Sequence, residues 1–293
     1  MRRSKPERAF DVLNILIMLF FMIVTIYPLW YVLCGSFSDG NILMRHSGVL
    51  LLPKGFDIAA YMAVFKNNQI LSGFYNSAII LIGGTCLNLV MTSIGAYALS
   101  RKDLYWRSFI MKFIILTMYF SGGLVPTYLL IAKTLHMNDS LLALIIPVAI
   151  STHNLVIMRT SFADIPDSLI ESAQLDGAKH AKILFSIVIP LSKAILAVMT
   201  LYYAVAHWNS WFTASIYLRS REKYPLQLVL REILIQNSTV SGAEAGIDNS
   251  EKYFIGETIK YATIIVSTVP ILLVYPFLQR YFVKGVMVGA VKG

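Results

Sequence analysis

The sequence has little charge. Only 14% of its 293 residues are charged, whereas 57% are hydrophobic. A soluble globular domain carries about 25% charged residues, so this composition excludes an ordinary soluble protein. The net charge of +9 does not indicate nucleic-acid binding, because the basic residues lie at the ends of apolar runs, where membrane topology places them. We therefore predict an all-α integral membrane protein that does not bind nucleic acid.

The sequence also lacks the residues of several chemical sites. Its two cysteines, Cys34 and Cys86, lie in apolar runs without the spacing of a metal or redox site, and we interpret both as buried thiols. A GxxxxGK(S/T) phosphate-binding loop is absent, so the chain does not hydrolyse ATP by that route. We predict no catalytic residue and no metal site, so the protein is not expected to be an enzyme.

Acidic side chains are missing from the middle of the apolar runs. Ion-coupled transporters usually have ionisable groups at that depth, where such groups are costly and are retained for function. The imidazole of His207 lies within such a run, and we interpret it as a packed or pore-lining residue in preference to a proton relay. A transporter without an ion or nucleotide site must take its energy from another subunit. The alternative to a transporter driven by another subunit is an ion-coupled secondary sugar transporter.

Six apolar stretches are long enough to cross a bilayer, which needs roughly 20 residues per helix. They are residues 12–34, 74–99, 109–132, 141–159, 194–217 and 262–278. Basic residues at 2–8, 101–107 and 280–292 place both termini in the cytoplasm, although the last external loop is also rich in lysine and arginine. The predicted organisation is a cytoplasmic N-terminus at 1–11, a six-helix transmembrane domain at 12–281 with external loops at 35–73 and 218–259, and a cytoplasmic tail at 282–293.

The cytoplasmic segment 163–190 is unusually polar for a connection between two spans. Pro166 is predicted at the first position of a helix that ends near Leu175, with Asp164 as its cap. Gly177 is expected to adopt a left-handed conformation that reverses the chain. The first half of the segment therefore predicts a short helix followed by a tight turn.

A second helix is predicted over residues 178–189, because its apolar residues recur at helical spacing. Pro190 is expected to bend the chain into the fifth span. The two helices would form a compact knob at the membrane surface. An amphipathic connector lying on the lipid is the alternative interpretation.

The segment resembles the cytoplasmic loop by which permease subunits of ABC importers dock onto their ATPase. The family pattern is EAA, three residues, glycine, and later I-x-LP, from which this sequence departs at Ser172 and Ile189. The positions to which the resemblance assigns ATPase coupling are Glu171, Ser172, Ala173, Asp176, Gly177, Ala178, Phe185 and Pro190. It implies a polar or ionic contact for Glu171, close approach at the two alanines, and an anchoring role for Phe185.

The resemblance covers nearly the whole chain. HWNSWF at 207–212 and the C-terminal QRYFVKGVMVGAVKG are typical of carbohydrate permeases. FSGGLVPTYLL at 120–130 and YPLQLVLREIL at 224–234 resemble the subgroup for polysaccharide-derived oligosaccharides, such as aldouronate and rhamnogalacturonan fragments. This resemblance implies a type I ABC importer permease fold in the lipid of a bacterial cell membrane.

The same resemblance implies a set of partners. They are an ABC ATPase dimer, a second homologous permease, an extracellular solute-binding lipoprotein and an oligosaccharide substrate. ATP and Mg would be bound by the ATPase, and this chain would bind no cofactor.

Sugars are bound by aromatic faces and by hydrogen-bonding side chains. Candidates for the substrate pathway are Tyr203, Trp208, Asn209 and Trp211 on the fifth span, with Asn76, Asn88, Thr92 and Tyr119 elsewhere. Polar residues also join membrane helices, and Trp and Tyr also form interfacial belts, so each candidate has a structural alternative. A membrane-embedded enzyme is a further rival, since the acids at 164, 167, 171 and 176 could imitate an acidic site.

Overall fold

The structure is a computed structural model that describes residues 5–240, 258–273 and 276. The described residues are helical or irregular, with one isolated bridge between Ser38 and Phe56. The α-helices are α1 (Lys5–Ser36), α2 (Gly40–Arg45), α3 (Ala59–Lys66), α4 (Asn68–Ser100), α5 (Arg107–Leu116), α6 (Leu124–Tyr128), α7 (Thr152–Ala163), α8 (Asp167–Leu175), α9 (His180–Ile183), α10 (Ile189–Leu191), α11 (Lys193–Trp208), α12 (Trp211–Tyr217), α13 (Leu226–Val240) and α14 (Thr258–Leu273). The chain divides into a first unit, residues 1–68 and 230–269, and a second unit, residues 69–229 and 270–293.

The first two predicted spans are long single helices. Phe10–Ser36 and Asn68–Ser100 are both long and apolar enough to cross a membrane. The pair His180–Leu191 and Lys193–Trp208 also passes this test together, with a bend of 88° between its members. The predicted sixth span begins within α14 and extends past the described residues. The segment before residue 5, residues 241–257 and the predicted tail 282–293 also lie outside the described part of the chain.

The third and fourth predicted spans are interrupted, which corrects the expectation of six regular helices. Helix α5 ends at Leu116, and residues 117–123 are turns and irregular backbone before α6 begins. In the fourth span, residues 145–151 are irregular between a 3₁₀ turn and α7. Glycine with a positive φ, as at Gly123 (86°), and proline, as at Pro147, both break regular helix. Irregular backbone at membrane depth is tolerated only where protein buries it or where it lines a cavity.

In the first unit, α1 is unburied along its most apolar 18 residues. Only its C-terminal end packs, where Cys34 joins Leu43 and Leu50 in a small apolar cluster and Tyr31 lies edge-on to Tyr261. A helix that is apolar on all sides and unburied needs lipid or another membrane helix around it.

The two cysteines differ, which corrects their common interpretation as buried thiols. Cys34 is buried, whereas Cys86 is exposed. Cys86 lies on α4 one turn from the exposed side chains of Ile82 and Val90. The thiol therefore belongs to an outward apolar face of this helix and not to its core.

The core of the second unit joins α7, the segment 163–190 and α11. Its fully buried members include Met158, Phe162, Ile183 and Val188. Because these side chains come from consecutive elements, one apolar cluster fixes the position of the polar segment against the helices on either side of it.

Asp139 holds the loop that follows α12, at residues 218–225. Its Oδ1 accepts the backbone N–H groups of Arg219 and Ser220, each at 3.0 Å, and the Lys223 ammonium donates to Oδ2 at 2.8 Å. The hydrogen bond from Lys223, followed by those of Ser220 and Arg219, holds the pKa of this carboxyl well below its usual range. The charged form is therefore the one that holds the loop.

Candidate functional site

The first helix of the segment 163–190 begins one residue later than predicted. Pro166 lies at the N-cap of α8 with extended backbone (φ −55°, ψ 127°), and α8 starts at Asp167. Asp164 is not its cap, because it ends α7 and its own N–H donates to the Ser161 carbonyl. The carboxylate of Asp167 lies in the first turn of α8, where it complements the positive end of the helix dipole.

Gly177 ends α8 as predicted, with φ at 78°. Its N–H donates to the Gln174 carbonyl at 2.9 Å, and the Ala178 N–H donates to the Ala173 carbonyl at 2.9 Å. This pair of bonds is the Schellman motif, which satisfies the last carbonyls of a helix and requires a left-handed residue at this position. A Cβ at Gly177 would meet no atom within 4 Å. The requirement for glycine there is therefore one of backbone conformation alone.

The second helical stretch begins at His180 and not at residue 178. It widens into a π turn at Leu184–Val188 before α10. Pro190 lacks an N–H and would clash with the carbonyl four residues earlier in a regular helix, and a π turn just before it relieves that conflict. The 88° bend itself falls at the break after α10, at Ser192.

The predicted coupling positions are mainly on the outer surface of this knob. Six are exposed and two, Ala173 and Ala178, are half-buried. Phe185, whose anchoring role stays a prediction, has a ring that is 56% exposed, whereas Ile170, Ile183 and Leu184 are buried. The sequence reasoning also missed Leu175, which is 89% exposed at the end of α8 and which helical periodicity alone could not assign to a surface.

A cavity of about 320 Å³ lies at the interrupted fourth span. Its wall includes Val148 and Ser151 from the irregular stretch, Asn154 from the first turn of α7, and Tyr203 and His207 from α11. The break in the span therefore has the setting in which irregular backbone is tolerated at membrane depth.

A chain of hydrogen bonds holds one side of this cavity. The Asn88 amide nitrogen donates to the Val148 carbonyl at 2.5 Å. Its oxygen therefore faces His207, whose Nε2 lies 2.6 Å away and donates to it. The His207 ring packs against Gly84, where a Cβ would overlap it. Asn88 and His207 thus join α4, the irregular stretch and α11. This role is the one expected of a packed residue at position 207.

Of the eight predicted pathway residues, the structure brings two to this cavity. Tyr203 and Asn209 line it. Thr92 reaches the Tyr203 hydroxyl at 2.7 Å but is itself buried. The others lie outside the cavity: Asn88 behind its wall, Asn76 bonded to the Glu222 and Tyr224 carbonyls, Trp208 buried against Phe74, Trp211 half-buried beside Phe212, and Tyr119 exposed.

Besides Tyr202, the sequence reasoning missed Asn154 on the cavity wall. It is buried on the cavity wall, and its side-chain amide makes no hydrogen bond to the described residues. Its position just after the Ser151 cap of α7 was the available signal, since helix starts beside a break place polar side chains at such sites. Within residues 5–240, 258–273 and 276, no group of three or more His, Cys, Asp or Glu side chains could hold a metal ion.

Comparison with protein-family models gives no match, but individual proteins are clearly similar. The chain is 39% identical to the polygalacturonan/rhamnogalacturonan transport system permease protein YtcP of Bacillus subtilis, over 98% of this chain and 99% of that protein. It is 38% identical to protein LplC of the same organism, over 100% of this chain and 98% of LplC. Among solved structures, a bacterial ABC transporter involved in the import of the acidic polysaccharide alginate has a chain with a TM-score of 0.88 and 30% identity, covering 96% of this chain and 99% of that one.

Similarity of this extent along the whole chain defines the class of protein. The chain belongs to the permease subunits of bacterial ABC importers. Within that class it is a carbohydrate-type permease of an oligosaccharide import system, a multi-pass protein of the bacterial cell membrane and a transport subunit rather than an enzyme. An ion-coupled secondary transporter is accordingly not favoured.

Proposed function

We propose that the segment 163–190 docks this permease onto an ABC ATPase dimer and transmits ATP-driven closure to the membrane domain. The observation that carries the proposal is the two-sided knob. One side, with Ile170 and Ile183, is buried in the core, and the other exposes Glu171, Leu175 and Phe185. Leu175 and Phe185 are therefore available for burial by a partner, and aromatic side chains are enriched at protein interfaces.

We further propose a type I topology with six spans and both termini in the cytoplasm. The domain limits are those predicted from the sequence: N-terminus 1–11, membrane domain 12–281 and tail 282–293. In this arrangement the knob is cytoplasmic and the loop held by Asp139 is external. The interrupted third and fourth spans then each count as one crossing, as broken helices do in other transporters.

The partners follow from the same proposal. A second homologous permease completes the pathway, and an extracellular solute-binding lipoprotein delivers the substrate to the external loops. ATP and Mg belong to the ATPase, and this chain binds no cofactor. Closure of the ATPase dimer would move the knob as a rigid body and switch the access of the cavity, a common form of conformational switching.

The cavity is proposed as part of the sugar pathway. It combines the aromatic rings of Tyr202 and Tyr203 with the amides of Asn154 and Asn209, and such groups stack on sugar rings and bond their hydroxyls. The names of YtcP and of the alginate transporter support an oligosaccharide released from a polysaccharide as the substrate.

The docking proposal is tested by purifying the tagged chain from gently solubilised native membranes and identifying co-purifying proteins by mass spectrometry. We expect an ABC ATPase and a second permease. Gly177→Val should lose the ATPase, because a β-branched residue strongly disfavours the left-handed turn. Gly177→Asn is the matched control, since asparagine tolerates that conformation and its Cβ also meets open space. An ATPase retained equally by both variants would contradict the proposal.

A further inference from the structure

Near the ends of α4 and α7, an arginine from each helix donates a hydrogen bond to a carbonyl of the other, and we call this pair of bonds an exchange. Arg101, just after α4, donates from Nη2 to the Phe162 carbonyl at 2.9 Å. Arg159, on α7, donates from Nε to the Leu99 carbonyl at 3.2 Å. Phe162 and Leu99 are the penultimate residues of their helices. Each helix therefore has one of its terminal carbonyls bonded by an arginine from the other.

This exchange satisfies a clear electrostatic need. The last carbonyls of a helix have no partner within the helix, and its C-terminus carries partial negative charge. Two such ends side by side repel each other unless cations lie between them. The Arg101 guanidinium is well suited, because it is 7% exposed and also contacts the Ser100 hydroxyl at 3.0 Å and the Tyr97 ring at 5.5 Å. Charge-assisted bonds of this kind are stronger than neutral ones.

Helix α7 connects the cavity to the knob. At its start, the Ser151 N–H donates to the Tyr203 hydroxyl at 3.3 Å, and Asn154 lines the cavity. At its end, Ala163 leads through three residues into α8. Its 12 residues make a rod about 18 Å long.

Helix α4 makes the same two connections. Asn88 and Thr92 bond to the cavity wall, and near the helix end the Tyr97 hydroxyl lies 3.2 Å from Nδ1 of His180 in the knob. Two parallel routes from knob to cavity are thus tied together where they leave the knob.

We propose that Arg101 and Arg159 form a crossed clamp that makes α4 and α7 one lever, so that a displacement of the knob reaches both sides of the cavity together. The arginines are positioning residues, and this role rests on the proposed docking of the knob to an ATPase. Without the clamp, the ATPase would still bind the knob, but α4 and α7 would move separately.

The test uses the complete complex with its ATPase and partner permease, in which Cys34 and Cys86 are replaced by serine. Spin labels are placed at cysteines introduced at Met91 on α4 and His153 on α7, both of which are exposed, and their distance is measured by pulsed EPR with and without ATP and vanadate. In the wild-type background we expect no change in distance. In Arg101→Gln and in Arg159→Gln we expect ATP to shift the distance on the order of 2 Å, the scale of helix displacements in switching proteins, with the ATPase still bound.

Two further variants separate the clamp from general effects of charge. Arg101→Lys keeps a cation that can donate to the Phe162 carbonyl, and it should return the distance to wild-type behaviour. Lys102→Gln removes an 80% exposed lysine that bonds Asp167 at 2.8 Å, and it should change nothing, since exposed pairs contribute little.

A wild-type distance that changes with ATP would overturn the lever, and Gln variants that keep a constant distance would overturn the need for the clamp. Loss of the ATPase from the Gln variants would also overturn the clamp, because the arginines would then act only on the shape of the knob. Absence of an ATPase from the wild-type complex would instead refute the proposed docking itself.

Discussion

The knob and the cavity wall use polar residues in opposite ways. In the knob, six of the eight candidate residues are exposed, and the bonds that shape the turn, such as Ala178 to Ala173, join residues close in the chain. In the cavity wall, Asn88 and His207 are buried and bond each other across 119 residues of sequence. Local patterns therefore predict which residues form the turn and outer surface of the knob, whereas polar residues within spans can also bond to each other as part of the scaffold.

The largest expected difference within the knob is between its buried and exposed apolar residues. Ile170→Ala should lower the free energy of unfolding by about 2–5 kcal/mol, because it empties a buried site, and this is measured by denaturation of the purified chain. Leu175→Ala should leave that free energy unchanged and weaken binding of the purified ATPase about tenfold, since a Leu side chain at an interface contributes burial energy only in the complex. Equal loss of unfolding stability in both variants would show that the two sides of the knob do not differ.

The packing of the cavity wall can be tested at two neighbouring glycines of α4, Gly83 and Gly84. Gly84→Ala places a Cβ against the His207 ring, and it should lower the free energy of unfolding by about 1–3 kcal/mol through overpacking. Gly83→Ala is the control, because its Cβ would meet only the Ile145 side chain at an ordinary 3.7 Å. That variant should be neutral or more stable by up to about 1 kcal/mol, as alanine favours helix. A destabilisation at Gly83 equal to that at Gly84 would contradict the packing of His207.

The smallest expected effect is on the rate of oligosaccharide transport through the cavity. Asn154→Leu keeps the size of the side chain but removes its amide, and it should slow the uptake of a labelled oligosaccharide that the wild type imports roughly 3- to 10-fold, the loss of about one neutral hydrogen bond. Co-purification of the ATPase should not change. Thr160→Val, at the other end of α7 and exposed, should transport as the wild type does. If Asn154→Leu takes up the oligosaccharide as fast as the wild type does, this amide is not part of the sugar pathway.

The boundaries that sequence could predict are those set by single residues with special backbones. Gly177 marks its turn because a left-handed residue is needed there, and Pro190 marks the disturbed helix just before it, because it lacks an N–H. The N-terminal boundary of α8 was shifted by one residue, since a proline suits both the cap and the first position of a helix. The broken third and fourth spans were missed because hydropathy measures how apolar a stretch is and not whether its backbone is continuous.

The amino-acid pattern alone determined that this chain is a membrane protein, and it predicted a docking loop between two spans and an energy source on another subunit. Those conclusions depend on composition and on local conformation, which residues impose wherever they are placed. The tertiary structure decided which side of the knob faces outward, which polar residues bond to each other, and that Asn154 lines the cavity. Burial and hydrogen-bond partners are properties of pairs distant in sequence, and a single residue type does not reveal its partner.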